Sequence, residues 1–77
     1  MEQEGNTLSV TATSAVELYA ELHVVDLRGM SHEQKLVEVR EGTSKLWIDT
    51  RDFASGSYLL ILRTDHQTIS RKFEIIR

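Results

Sequence analysis

Short apolar runs separated by polar breaks recur along this chain. Residues 58–62 are all apolar, and residues 68–76 alternate apolar with polar positions. The polar stretch around Asp65 and His66 separates these two runs, an arrangement typical of a β-hairpin. A strand that is apolar at every position is usually central in its sheet, so we expect residues 58–62 to be covered on both sides. The alternating run is typical of a half-solvated strand.

Four further strands are predicted upstream, at residues 7–12, 20–26, 31–39 and 44–50. The apolar positions of the third do not have helical spacing, so a strand is favoured over a helix there. In the fourth, Leu46 and Ile48 lie on one face and Trp47 on the other. Residues 15–19 are either a short strand or an irregular approach to the next one. The polar residues 1–6 are expected to be frayed.

Glycines mark the breaks between these strands. Asp26 and Gly29 occupy the first and fourth positions of a predicted type I turn, in which the aspartate caps the backbone and the glycine accepts a left-handed conformation. A second tight turn is predicted at Gly42, and Gly56 precedes the apolar run. Phe53, in the connection before it, is expected to fill the end of the core. Strands that recur every 8 to 12 residues or so, about seven in all, predict an all-β sandwich of short antiparallel strands.

Composition narrows the possible partners. The chain has 77 residues, 40% of them hydrophobic and 27% charged, as in one soluble globular domain. It has no cysteine, which excludes a disulfide and a thiolate metal site. Its net charge is −3 and its basic residues are scattered, which argues against a nucleic-acid partner. It has neither a membrane-spanning run nor a signal peptide, so we expect no direct membrane insertion. Residues 1–4 are more typical of an expression start or a cut linker than of a natural beginning, so we interpret the chain as a fragment of a longer protein.

No group of residues predicts catalysis, a metal or a cofactor. The histidines at positions 23, 32 and 66 are far apart in the pattern, and we interpret them as solvated surface residues. Serines flank Gly56, but a strand follows rather than a helix, so they are assigned to a turn and not to a nucleophile. The carboxylates are spread singly along the chain, and no acid–base pair is predicted. We therefore expect no enzymatic activity.

Two sets of apolar side chains are candidate binding surfaces. Trp47 and Tyr19 could form an aromatic platform for a sugar, although a single tryptophan on a strand more often serves packing. Leu59 and Ile61 point outward if their neighbours fill the sandwich, and they then need cover from another segment or a partner. Core or semi-exposed packing is the favoured interpretation for Trp47, and core packing is favoured for Leu59 and Ile61.

The chain resembles the C-terminal sorting domain of cargo of the type IX (Por) secretion system, found in Gram-negative bacteria of the Bacteroidota. The similarity lies in LHVVDLRGM and in GTSKLWIDTRDFASGSYLLILRTDHQTISRKFEIIR. In order, the family pattern is matched by Asp26 with Gly29, Leu46 with Ile48, Ser55-Gly56-Ser57-Tyr58, and Lys72 with Arg77. The chain departs from this pattern at Val25, where the family usually has an aromatic residue, and at Met30, where a basic residue is common.

The resemblance implies an immunoglobulin-like β-sandwich over residues 7–77. Residues 1–6, outside the match, are interpreted as a linker or a remnant of an expression start. Such domains direct larger cargo through the periplasm to an outer-membrane translocon. A surface sortase-like protease then removes the domain from most cargo. The translocon and the protease are thus the implied partners, and the cell surface or the medium is the implied destination. The alternative is a non-catalytic surface-binding module for a carbohydrate or a protein.

The residues that we expect to serve recognition are Asp26, Gly29, Ser55, Gly56, Tyr58, Lys72, Phe73 and Arg77. The final strand is a candidate edge strand, and an edge carries unpaired backbone groups that can template another chain. We hypothesise that the translocon reads the folded display of this strand, the turn at Ser55 and Gly56, and the positive end at Lys72 and Arg77. Gly56 is expected to occupy a left-handed turn position.

Overall fold

The computed structural model describes all 77 residues, which form seven β-strands joined by turns and short connections. The strands are β1 (Glu2–Glu4), β2 (Thr7–Ser14), β3 (Leu18–Asp26), β4 (Ser31–Val39), β5 (Gly42–Asp49), β6 (Gly56–Arg63) and β7 (Thr68–Ile75). The structure contains no helix that is long and apolar enough to cross a membrane. All six predicted strands are present, and the prediction of an all-β fold is confirmed.

The strands form two antiparallel sheets that pack face to face. One sheet has three strands in the order β1-β2-β5, and the other has four in the order β4-β3-β6-β7. The predicted β-sandwich is therefore confirmed. In a constant-type immunoglobulin domain the fourth strand joins the sheet of the first two, whereas here β4 pairs with β3 in the other sheet.

Two kinds of connection join the strands. The turn at residues 26–29 closes a hairpin between β3 and β4, and the predicted C-terminal hairpin joins β6 to β7. The latter is closed by the Thr64 N–H, which donates to the Gln67 carbonyl at 2.8 Å. Gly42 has a φ of 94°, but the turn predicted there closes no hairpin. It carries the chain from β4 in one sheet to β5 in the other.

The core lies between the sheets and is filled mainly by alternate residues of β2, β3, β5, β6 and β7. Eleven buried residues form one cluster: Leu8, Val10, Leu22, Val24, Leu46, Ile48, Phe53, Tyr58, Leu60, Phe73 and Ile75. The alternation predicted for β5 is confirmed, because Leu46 and Ile48 are buried and Trp47 is exposed. Phe53 is buried in the connection after β5, as predicted.

The outer face of β6 departs from the prediction. β6 lies between β3 and β7, so its central place in the sheet is confirmed. Tyr58 and Leu60 face the core, whereas Leu59 and Ile61 lie on the outer face and are only half-buried. The expectation that both faces of this strand are covered is wrong, and so is the assignment of Leu59 and Ile61 to the core. A sandwich has two layers, so its outer faces have no third layer to cover them.

The amino-terminal residues also depart from the prediction, because they are not frayed. Residues 2–4 form β1, which pairs with the first residues of β2. The Gln3 side chain crosses to the other sheet and donates a hydrogen bond to the Glu74 carbonyl of β7. The side chains of β1 are exposed and polar, so no hydrophobic pattern marks a strand that pairs through its backbone.

Candidate functional site

The turn between β3 and β4 is organised by the carboxylate of Asp26. Its Oδ1 accepts hydrogen bonds from the backbone N–H of Arg28 at 2.9 Å and of Met30 at 3.0 Å. The Gly29 N–H donates to the Asp26 carbonyl at 3.0 Å, and Gly29 has a φ of 86°, a conformation that favours glycine. The turn therefore has the capping that the spacing of Asp26 and Gly29 predicts.

A β-bulge brings a histidine to the same carboxylate. Successive residues of β3 pair with Glu33 and then with Ser31, so His32 is the extra residue on β4. The Nε2 of His32 donates to Oδ2 of Asp26 at 3.0 Å, and Nη2 of Arg28 donates to the same oxygen at 3.1 Å. A bulge re-aims the side chain that it carries, and this one directs His32 toward the core.

The four hydrogen bonds keep Asp26 ionised. The bond from His32 has the largest effect, and those from Met30 and Arg28 add to it against the opposing effect of desolvation. Together they hold the pKa of Asp26 well below its usual range. Hydrogen bonds to the charged form of a carboxyl favour that form, so this turn prefers the carboxylate to the acid.

Four rings close the core at this end. The centroid of the His32 ring lies 5.4 Å from that of Phe53 and 5.2 Å from that of Tyr58. Phe53 and Tyr58 stack at 5.2 Å with an angle of 13° between their planes, and Tyr58 contacts Phe73 at 5.6 Å. These contacts join β4, β6 and β7 to the connection that follows β5.

Tyr58 also holds the connection that precedes its own strand. Its hydroxyl donates to the Ala54 carbonyl at 2.5 Å. A tyrosine near the start of the sixth strand that bonds back to the upstream backbone is the tyrosine corner of immunoglobulin-like sandwiches. Gly56 has a positive φ of 151°, which favours glycine as expected, but it begins β6 rather than lying in a left-handed turn. The Gly-x-Tyr motif thus starts the strand and orders the chain before it.

Arg77 binds the same connection through its side chain. Its Nε donates to the Phe53 carbonyl at 2.9 Å, and its Nη2 donates to the Thr50 carbonyl. Its Nη1 donates to Oδ1 of Asn6 at 3.0 Å, and its backbone N–H donates to Oγ of Ser55 at 3.1 Å. A planar guanidinium can bind several acceptors at once, which a lysine ammonium at this position could not do with the same geometry.

Seven of the eight predicted recognition residues lie at this end of the four-stranded sheet: Asp26, Gly29, Ser55, Gly56, Tyr58, Phe73 and Arg77. We call this end the motif end. Asp26 pairs with Tyr58 across β3 and β6, and Tyr58 pairs with Phe73 across β6 and β7. Lys72 does not join this group, because it is exposed on the face of β7 opposite to that of buried Phe73.

The sequence patterns did not identify three residues of the motif end: His32, Thr50 and Asn6. The interpretation of His32 as a solvated histidine is wrong, since its side chain is 23% exposed and packs against the rings of Phe53 and Tyr58. His23 is also half-buried, and its ring faces Glu21 rather than Asp26. No local signal marks the bulge that turns His32 inward. His66 is exposed, as predicted.

Trp47 and Tyr19 do not form an aromatic platform for a sugar ligand. Trp47 is 55% exposed on the outer face of β5, in the three-stranded sheet. Tyr19 is 61% exposed on the outer face of β3, in the other sheet. The two rings therefore point away from opposite sides of the sandwich and cannot bind one ligand together. Lys45 lies over the Trp47 ring, with Nζ 5.1 Å from its centroid.

The fold and the motif end define a small immunoglobulin-like sandwich with an ordered carboxyl-terminal strand. The sequence profile of secretion-system C-terminal sorting domains matches residues 4–76, and the chain belongs to this family. Searches of curated proteins and of solved structures gave no significant match.

Membership of this family establishes the general role of the domain. It is a C-terminal sorting signal of the type IX secretion system, and it acts with the machinery of that system. Such domains follow a cargo protein in the chain and direct its export to the cell surface or into the medium. The family is non-catalytic in general.

Proposed function

We propose that the translocon recognises this domain in its folded form, at the motif end. The observation that carries the proposal is the binding of the Arg77 guanidinium to Asn6, Thr50 and Phe53. Arg77 and Asn6 lie near opposite ends of the chain, and Thr50 and Phe53 lie in the connection between β5 and β6. The guanidinium of Arg77 is therefore held in this position only when the sandwich is folded. An unfolded linear tag would need neither these acceptors nor Tyr58.

The motif end suits recognition for two physical reasons. First, its turn and its connection are held in place, because the side chains of Asp26, Tyr58 and Arg77 each form hydrogen bonds to the backbone of these segments. Second, a rigid surface loses little conformational entropy on binding, which favours affinity. In this proposal the cargo passes through the periplasm with the domain folded and meets the outer-membrane translocon there. A surface sortase-like protease acts on the domain afterwards.

The first test measures export of a fusion. Residues 1–77 are joined to a periplasm-directed fluorescent protein in a host that has this secretion system, and fluorescence at the cell surface is followed. Arg77→Ala should reduce surface delivery at least about fivefold, since a hydrogen-bond network to the backbone is lost. Arg77→Lys should rescue it only in part. Arg63→Ala is the matched control, because Arg63 is an exposed arginine of β6 with no side-chain hydrogen bond or ion pair.

A second pair of fusions separates a folded signal from a linear one. Deletion of residues 73–77 removes Phe73 and Arg77 together and should abolish export. A fusion that carries residues 56–77 alone keeps the last hairpin but lacks the other strands, and it should not be exported either. Delivery of the shortened hairpin at the level of the intact domain would show a linear signal. Delivery of the truncated domain at that level would show that the carboxyl-terminal strand has no role in sorting.

A further inference from the structure

The free side of β7 is a long and regular open strand edge. The two sheets have four edge strands, β1, β5, β4 and β7. β1 has only three residues, β4 carries the bulge at His32 near its start, and at β5 the Lys35 Nζ donates to the Trp47 carbonyl at 2.9 Å. Short length, a bulge and an intruding lysine each make an edge a poor template for another strand. β7 has eight residues and pairs with β6 without a register shift.

The register of the hairpin shows which backbone groups of β7 are unpaired. Thr64 and Gln67 form a hydrogen-bonded pair at the turn. Hydrogen-bonded and non-hydrogen-bonded pairs alternate along an antiparallel ladder. The odd-numbered residues of β7 therefore bond to β6. The residues that direct their N–H and C=O groups to the free side are Thr68, Ser70, Lys72 and Glu74.

Two contacts agree with this assignment, because both involve even-numbered carbonyls. Gln3 donates to the carbonyl of Glu74, at the carboxyl-terminal end of β7. The exposed side chain of Arg71 donates to the carbonyl of its neighbour Ser70 at 3.0 Å. The first contact occupies only the end of the edge, and the second is made by a side chain that can move into solvent. The stretch from Thr68 to Lys72 is consequently open to another strand.

An apolar groove runs beside this open stretch. β1 pairs with β2 only as far as Ser9, so residues 10–13 of β2 have no strand on that side. The groove lies between these residues and β7, and Leu60, Leu62 and Ile69 contribute to its lining. Ile69 is 39% exposed although it shares a face with the buried Phe73. A side chain from a strand added to β7 could enter this groove.

The charge beside the edge is positive. Arg71 and Lys72 are both exposed, and residues 68–73 contain no acidic residue. Arg71 lines the groove, whereas Lys72 lies on the outer face of β7. An added strand whose apolar side chains enter the groove directs its alternate side chains to the outer face, where acidic ones beside Lys72 would be favoured over basic ones by several-fold or more. The backbone of β7 can pair with any extended segment, and its positive charge favours the acidic ones.

We propose that the free side of β7 binds an extended acidic segment of a partner protein as an added strand, with an apolar side chain of that segment in the groove. Backbone hydrogen bonds to Thr68, Ser70 and Lys72 supply affinity, and the groove and the charge of Lys72 supply specificity. This surface is separate from the motif end. Its binding can be measured with the purified domain, so this inference and the proposed function can fail independently.

The test titrates the ¹⁵N-labelled domain with a synthetic peptide in which valine and glutamate alternate. Saturable shifts are expected at the amides of Thr68, Ser70 and Lys72. A peptide with lysine in place of glutamate should bind at least about tenfold more weakly. A peptide methylated on alternate backbone nitrogens should not bind, because methylation removes the donors that β-strand addition uses.

Variants of the domain locate the binding. Lys72→Glu should weaken binding of the valine–glutamate peptide at least about tenfold, whereas Lys45→Glu, on the opposite sheet, should leave it unchanged. Ser70→Pro removes an N–H from the free side without removing a bond to β6, so it should prevent binding while the fold persists. Equal binding of the methylated peptide, shifts centred elsewhere, or no saturable shift up to about 1 mM peptide would overturn the inference. Dimerisation of the free domain through β7 would overturn it as well, with a second copy as the occupant.

Discussion

The Nε2 of His32 donates a hydrogen bond of 3.0 Å to Oδ2 of Asp26, across a turn that separates the two residues by six positions. The same ring packs against Phe53 and Tyr58. His32 therefore links the charged turn of the sorting motif to the aromatic end of the core. Changes at the turn are expected to affect the stability of the whole domain.

The first prediction concerns the loss of folding stability at low pH that results from protonation of Asp26. Hydrogen bonds in the folded state, from His32 above all, lower the pKa of Asp26, so its carboxylate stabilises the fold above its unfolded pKa of about 3.9. This contribution should be lost progressively as the pH falls through that value toward the lower folded pKa. Asp26→Asn should be less stable than the parent at pH 7, and the difference should shrink below about pH 4.

Urea unfolding at a series of pH values measures this difference. Asp52→Asn serves as the control, because Asp52 is an exposed aspartate with no side-chain hydrogen bond or ion pair. A difference between the parent and Asp26→Asn that is constant from pH 7 to pH 2 would contradict the linkage.

The second prediction concerns the ring that fills the end of the core. Phe53 is 6% exposed and stacks on Tyr58, and Arg77 binds its carbonyl. Phe53→Ala should lower the free energy of unfolding by about 3–5 kcal/mol, because it leaves a cavity as well as losing buried area. In a domain of this size such a loss approaches the total stability, so thermal unfolding should show a much lower Tm. Leu27→Ala, at an exposed turn position, should change it by less than about 0.5 kcal/mol.

The third prediction concerns Gly56. Its φ of 151° is rarely adopted by residues with a side chain, although no atom would obstruct an added Cβ. Gly56→Val should destabilise the domain by about 1–3 kcal/mol through backbone strain alone, and it should reduce export of the fusion. Ser57→Val is the matched control, since the next residue lies within β6 and β-branched side chains suit a strand. Equal losses of stability in both variants would refute the assignment of strain to Gly56.

The fourth prediction separates the two faces of β5. Leu46→Ala should cost about 2–5 kcal/mol in unfolding free energy because Leu46 is in the core. Trp47→Ala should cost no more than about 1 kcal/mol, the scale of its exposed contact with Lys45. Export of a fusion that carries Trp47→Ala should match that of the parent. A loss of export with stability retained would show that the outer face of the three-stranded sheet contributes to recognition.

Local patterns predicted the strands and several of their details. The alternation of Leu46, Trp47 and Ile48 indicates which face of β5 is buried, because side chains of successive strand residues point to opposite faces. The turn at Asp26 and Gly29 could be predicted because an aspartate and a glycine at that spacing satisfy its backbone directly. Strand β1 could not be predicted, because its three residues are polar and show no hydrophobic pattern.

Sheet membership could be predicted only in part. Short turns at positions 29 and 42 look alike in the sequence, yet the first closes a hairpin and the second leads to the other sheet. The outer face of β6 is a similar case, because Leu59 and Ile61 are as apolar as their neighbours. Whether a layer covers them depends on the number of layers, which no single strand encodes.

The sequence alone determined which motifs the chain has, and the tertiary structure decided which of their atoms meet. Arg77 and Asn6 lie 71 positions apart, and their contact depends on the packing of the two sheets. His32 reaches Asp26 because a bulge shifts the pairing of β3 with β4 by one residue. Side-chain periodicity specifies the faces of a strand, but the register between strands and the distance between sheets are properties of the assembled fold.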